Sequence, residues 1–126
     1  MRSRAVFLSL LMAMLFGAAG CAMLEPVEET APRYASSTEL YNKALENYQN
    51  GKYSRAKDLF QEYIAQYPNS TIFRIALYYS GHCYQMLGEE KEALVIYNRV
   101  VATYGEDDFW GEQAFKRIGQ IKGDPL

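Results

Sequence analysis

The chain repeats itself when shifted by 37 positions, and that periodicity restricts it to folds made of similar units stacked side by side. The first copy carries Leu40, Tyr41, Ala44, Tyr48, Gly51, Tyr53, Ala56, Phe60, Tyr63, Tyr67 and Pro68. One period later stand Leu77, Tyr78, Gly81, Gln85, Gly88, Ala93, Ile96, Tyr97, Val100, Tyr104 and Gly105. Gly51 falls on Gly88, Ala56 on Ala93 and Tyr67 on Tyr104. A partial third copy begins at Ala114-Phe115-Lys116-Arg117-Ile118-Gly119.

Each copy reads as a helix, a glycine turn and a second helix. Tyr53, Ala56, Phe60, Tyr63 and Tyr67 recur at spacings of three and four, which is one apolar stripe on an α-helix. Ala93, Ile96, Tyr97, Val100 and Tyr104 form the same stripe in the second copy. Trp110, Ala114, Ile118 and Ile121 supply one for the last helix. The ends have chemical causes. Ser36 and Glu39 have the spacing of a capping box, and Ser70 stands ready to cap the third helix. Gly51 and Gly88 suit the left-handed residue that terminates a helix. Pro68 disfavours helical backbone at Tyr67. Helices are expected at about 37–50, 53–67, 71–87, 90–104 and 108–122. The fold class is therefore all-α, a solenoid of about 2.5 helix-turn-helix repeats.

These residues resemble the tetratricopeptide repeat (TPR) family. That family opens helix A with a large apolar residue and places a small one four positions later. Here the pairs are Leu40 with Ala44, Leu77 with Gly81 and Phe115 with Gly119. A small residue in helix B is followed by an aromatic, carried by Ala56 with Phe60 and Ala93 with Tyr97. The pattern departs from the family where Gly105 replaces a terminating Pro and where the period is 37 rather than 34. The longer unit is similar to repeats of bacterial envelope proteins of the BamD-type and Tol-Pal-associated kinds. The resemblance implies that the A helices line a concave groove that holds a peptide or partner helix. Carried over, the groove positions are Tyr41, Asn42, Leu45 and Gln49, then Tyr78, Tyr79, His82, Gln85 and Met86, then Lys116, Arg117 and Gln120. Tyrosines offer wide contact at low entropic cost, and amides pair with peptide backbone. Lys116 and Arg117 suit a carboxylate and equally suit a solvated helix face.

The first residues read as an address. Arg2 and Arg4 precede an apolar run, Ala5 to Phe16, too short to cross a bilayer core of about 20 helical residues. Gly17-Ala18-Ala19-Gly20 then leads to Cys21. Positive, apolar, small is the order of a secretory signal. Small residues ending on a cysteine resemble the bacterial lipobox, with Ala18 where Leu is commoner. The resemblance implies cleavage after Gly20, acylation of Cys21 and a lipid anchor. Ala22 stands where an Asp resembles an inner-membrane retention signal, which favours the outer membrane and a domain facing the periplasm. Residues 1–20 are thus read as signal peptide, 21–36 as lipidated end and linker, and 37–126 as the repeat domain. The linker holds Pro26, Pro32 and three glutamates without a helical stripe, and spans about 20 Å as a flexible chain.

Composition excludes several functions. Loss of residues 1–20 removes two arginines and no acid, moving the formal charge from −2 to −4. Such a surface has no footprint for nucleic acid. His82 is the single histidine, and Cys83 beside it points about 100° away on a helix, which suits no shared metal. No catalytic constellation and no phosphate loop is present, so neither enzyme chemistry nor a cofactor other than the covalent lipid is expected. Glu89-Glu90 and Glu106-Asp107-Asp108 fall at expected helix starts, where the macrodipole favours acids. Cys83 reads either as a buried thiol or as half of an intermolecular disulfide. The functional expectation is an envelope adaptor that binds another protein. The alternative is a subunit of an outer-membrane assembly or pilus-secretin machine that docks through its terminal helix, where Phe109, Trp110 and Phe115 cluster.

Overall fold

The computed structural model describes residues 36–124. The signal peptide, Cys21 and nearly all of the linker lie outside the described residues. Among the described residues five helices run in order: α1 (Ser37–Gln49), α2 (Tyr53–Gln66), α3 (Phe73–Met86), α4 (Glu90–Tyr104) and α5 (Phe109–Lys122). No strand occurs among the described residues. Each helix packs on its neighbour in sequence, and α3 also touches α5. The all-helical repeat solenoid expected from the periodicity is the observed fold, with α1–α2 and α3–α4 as two hairpins and α5 as the first helix of a third.

Helix ends follow local chemistry. Ser36 Oγ accepts the Glu39 N–H at 3.1 Å and starts α1. The A helices stop by one mechanism. Lys52 N–H donates to Asn47 O at 2.9 Å and Gly51 N–H to Tyr48 O at 3.0 Å, with Gly51 at φ +72°. Glu89 to Tyr84 and Gly88 to Gln85 repeat the arrangement at 2.9 and 3.0 Å, with Gly88 at φ +75°. This crossed pair of bonds satisfies the last carbonyls and requires a left-handed residue between them, which glycine adopts without strain. The third helix starts at Phe73, two residues later than the expected 71. Ser70 Oγ binds Ile72 N–H at 3.1 Å and the Tyr63 hydroxyl at 2.6 Å. It therefore caps the turn that enters α3, not the first turn itself. At α5 the Asp108 carboxylate accepts the Trp110 N–H at 3.1 Å and also meets Arg74 at 3.1 Å. One acid thus caps a helix and ties it to the start of α3.

The expected stripes form the core. Leu40, Ala44, Ala56, Leu59, Phe60, Tyr63, Ala76 and Cys83 pack as one cluster between the first hairpin and α3. Phe73, Leu77, Tyr78, Ala93, Tyr97, Val100, Ala114 and Ile118 pack as a second between α3, α4 and α5. Small residues set the helix separation. A Cβ on Gly81 would stand 3.0 Å from Tyr97 Cε1 and 3.1 Å from Ile96 Cγ2. The approach is closer still at Gly111, in the first turn of α5, where a Cβ would lie 1.7 Å from the Gly105 carbonyl oxygen. Backbone cannot yield as a flexible side chain does. Gly111→Ala is accordingly expected to lower stability by about 2 kcal/mol or more, measured as a drop in denaturation midpoint.

Among the described residues, one buried side-chain polar atom lacks a partner. Ser80 Oγ, fully buried in α3, makes no hydrogen bond. Alanine keeps the volume nearly unchanged, favours helix and removes the unmet hydroxyl. Ser80→Ala is expected to stabilise the fold by about 1 kcal/mol in urea unfolding, and a loss of that size would show that the hydroxyl is satisfied in solution.

Candidate functional site

Eleven tyrosines in 126 residues raise the question of where so many hydroxyls go. In the core each finds a polar atom at a helix boundary or on the A-helix side. Tyr63 reaches Ser70, and Tyr97 donates to Gln85 Oε1 at 2.9 Å. The Tyr78 hydroxyl accepts from Arg117 Nε at 3.3 Å, across from α5 to α3. Burial of a phenol is tolerable because its polar tip is paired. The consequence is a row of polar tips on the side formed by α1, α3 and α5.

That side carries a continuous aromatic surface. Tyr48 of α1 meets Tyr79 of α3 edge-on at 4.9 Å between centroids, and Tyr79 stacks on Phe60 at 5.6 Å. Tyr41 lies edge-on to Phe60 and Tyr63. Tyr78 and Tyr79 both contact Trp110, at 5.1 and 5.8 Å. The Tyr48 hydroxyl and His82 Nδ1 share a hydrogen bond of 2.5 Å. Arg117 binds Gln120 Oε1 at 3.3 Å besides Tyr78, and has no carboxylate partner among the described residues. Tyr41, Tyr48, Tyr79, His82, Trp110 and Arg117 are half-buried, over Phe60, Tyr63 and Tyr78, which are buried.

The electrostatics keep this surface neutral apart from Arg117. Burial, with Arg117 adding to it, pushes His82 down to about 4. The imidazole is therefore uncharged at neutral pH. Burial, reinforced by neighbouring tyrosines, pushes Tyr48 up to about 12, and raises Tyr41 and Tyr79 as well. Cys83 is fully buried and its thiol is pushed up to about 12 by that burial, against a smaller opposing pull from Lys57. It is inert where it sits. Among the described residues no group of three His, Cys, Asp or Glu is placed to hold a metal, and no helix is long and apolar enough to cross a membrane.

The structure brings together Tyr41, Tyr79, His82, Gln85, Arg117 and Gln120 of the residues expected to line a groove. Tyr78 belongs to the same cluster but is buried, 6% exposed, and acts through its hydroxyl alone. Leu45 is half-buried outside the aromatic cluster, and Gln49 is exposed at the end of α1. Asn42 lies elsewhere, on the polar outer side of α1 with Thr38, Glu39 and Glu46. Met86 is exposed at the end of α3. Lys116 pairs with Glu112 at 2.8 Å on the far side of α5, turned away from Arg117. Sequence reasoning missed Tyr48, which joins α1 to His82, and assigned Trp110 to a packing stripe and to a terminal docking cluster, not to the face where it meets Tyr78 and Tyr79. Tyr48 has a signal: it lies seven residues after Tyr41, two helical turns along one face.

Paired antiparallel helices, small residues at their crossing points and a half-open aromatic face define a helical-hairpin repeat scaffold. Residues 39–70 and 75–107 match the family model of the tetratricopeptide repeat, more than half of the chain. The chain belongs to the tetratricopeptide repeat family, whose domains are protein–protein interaction modules that bind protein partners. Neither a curated protein nor a solved structure matches it.

The neutral, half-buried His82 couples stability to pH. Its folded value of about 4 lies below its ordinary 6.5. Between these values the unfolded chain binds a proton that the folded chain refuses. The contribution is thus complete above pH 6.5 and is lost as pH falls toward 4. Unfolding free energy should decline over that window, and His82→Gln should make the decline shallower. Equal slopes in both proteins would show that His82 titrates normally in the fold.

Proposed function

We propose that this chain is a membrane-anchored lipoprotein of the bacterial envelope whose repeat domain is an adaptor, holding an extended segment or a helix of another envelope protein on its A-helix face. The observation that carries the binding part is the surface of Tyr41, Tyr48, Tyr79, His82, Gln85 and Arg117. Aromatic bodies anchored in the core lose little entropy on binding. Arg117, held by Tyr78 and Gln120 without a carboxylate, offers its guanidinium to a carbonyl or carboxylate of the bound segment. The anchoring part draws support from the order of positive, apolar and small residues ahead of Cys21. Two or more acyl chains on one residue suffice for stable attachment. Ala22 supports the outer membrane, with the domain in the periplasm. The likeness of the long repeat to BamD-type and Tol-Pal-associated proteins supports a role in outer-membrane biogenesis or envelope maintenance.

The test joins both parts. A photoreactive residue at Tyr79 is expected to give a discrete protein adduct in cells, and one at Val95, exposed on α4, is expected to give none. Arg117→Ala should weaken capture of the same partner about tenfold. Incorporation of a labelled fatty acid should disappear in Cys21→Ala. Adducts at Val95 equal to those at Tyr79 would sink the groove reading, and label retained in Cys21→Ala would sink the anchor.

A further inference from the structure

Helix α5 has two sides. One buries Ala114 and Ile118 in the second core cluster. The other carries Glu112, Phe115, Gly119 and Lys122, a single stripe at helical spacing. In α3 the equivalent residues are Leu77 and Gly81, the large-then-small pair of each A helix. There α4 covers them: Leu77 is 1% exposed, and Tyr97 and Ile96 rest against Gly81. On α5 no described element takes that place. Phe115 is 51% exposed beside a recess of about 500 Å³ lined by Glu112, Phe115, Lys116, Gly119 and Lys122, with Asp124 at its rim and an edge of Ile118 at its floor. The stripe has the chemistry of a surface that another helix covers.

We propose that the covering helix is α5 of a second copy of this chain, lying antiparallel across the stripe about a two-fold axis level with residue 117. The stripe is self-complementary about that point. Phe115 and Gly119 lie two residues to either side of it, and Glu112 and Lys122 lie five to either side. An antiparallel pair centred there sets each Phe115 against the partner's Gly119, as Tyr97 sets against Gly81 within one copy. The same register sets each Glu112 against the partner's Lys122. Both contacts form twice, as a two-fold interface requires. A parallel pair would instead oppose like charges and crowd Phe115 against the partner's Phe115.

The charges are available for this. Lys122 has no ion pair among the described residues. Glu112 pairs only with Lys116 of its own helix, a half-exposed contact worth little. Head-to-tail stacking has no comparable fit, because the outer side of α1 is polar, with Ser36, Thr38, Glu39, Asn42, Lys43 and Glu46. The contact therefore closes as a pair and does not propagate into a filament. It is independent of the lipid anchor and of the A-helix face.

The test uses the full-length chain purified in detergent. Its mass is followed over about a hundredfold range of concentration, with a zero-length carbodiimide crosslink read by peptide mapping. A reversible dimer is expected, with Glu112 joined to Lys122. That adduct arises only between copies, because ten residues of helix separate the two side chains by about 15 Å within one. Glu112→Lys and Lys122→Glu should each weaken dimerisation about tenfold, and the double exchange should restore it. Phe115→Ala should also weaken it, with helix content unchanged by circular dichroism. A chain monomeric at every concentration would overturn the proposal and leave the stripe to a different partner. A dimer indifferent to either charge reversal would overturn it too, as would one that both reversals weaken and the exchange fails to restore.

Discussion

Everything in this domain hangs on α3 being buried on two sides at once. Ala76 and Cys83 belong to the cluster shared with the first hairpin, and Phe73, Leu77 and Tyr78 to the cluster shared with α4 and α5. A helix of fourteen residues with seven buried positions keeps only a narrow open side, the one that carries Tyr79, His82 and Gln85. Neither hairpin buries its apolar stripe alone, since each supplies only one wall of a core. Stacking onto α3 completes both walls, which is why repeats of this kind are stable only in series.

Two-sided burial has a steric cost, met by residue size. Gly81 lets Tyr97 and Ile96 reach the axis of α3, and Gly111 lets the start of α5 lie against the Gly105 carbonyl. It also has a polar cost. The tyrosines that fill the gaps bring hydroxyls into the core, and these are met by Ser70, Gln85, His82 and Arg117. Because most of those partners lie on the A helices, the satisfaction of the core and the chemistry of the open face are one arrangement. A neutral His82 and protonated tyrosines then leave Arg117 as that cluster's charge. The face is thus built for contact area and hydrogen bonding more than for electrostatic attraction.

Local signals announced much of this. The period placed the hairpins, the stripes of Tyr53 to Tyr67 and Ala93 to Tyr104 gave the core, and the glycine turns fell where the A helices stop. Ser70 was harder to read, because its hydroxyl is drawn to Tyr63, seven residues back, and the helix it was expected to cap begins later. The open face was legible only in part. Tyr79, His82, Gln85 and Arg117 follow from the repeat register. Tyr78 also shares that register, yet Trp110 and Tyr97 cover its ring. Asn42 and Lys116 also sit at groove register but turn to other sides, since the angle at which each helix leans on its neighbours shifts the boundary between faces.

The sequence alone determined which segments are helical, where they end and which side of each is apolar, because those properties depend on spacing and on residues within one turn. It also determined the small-then-aromatic pairs that let helices approach. Tertiary packing decided which polar groups meet. Tyr48 reaches His82 from 34 residues away, and Arg117 reaches Tyr78 from 39. No local rule specifies contacts of that range. They arise when two hairpins settle on α3 and the depth of each ring in the core fixes where its hydroxyl emerges. The same packing left Phe115 uncovered on α5 while burying its counterpart Leu77, because a helix lies over one and no described helix lies over the other.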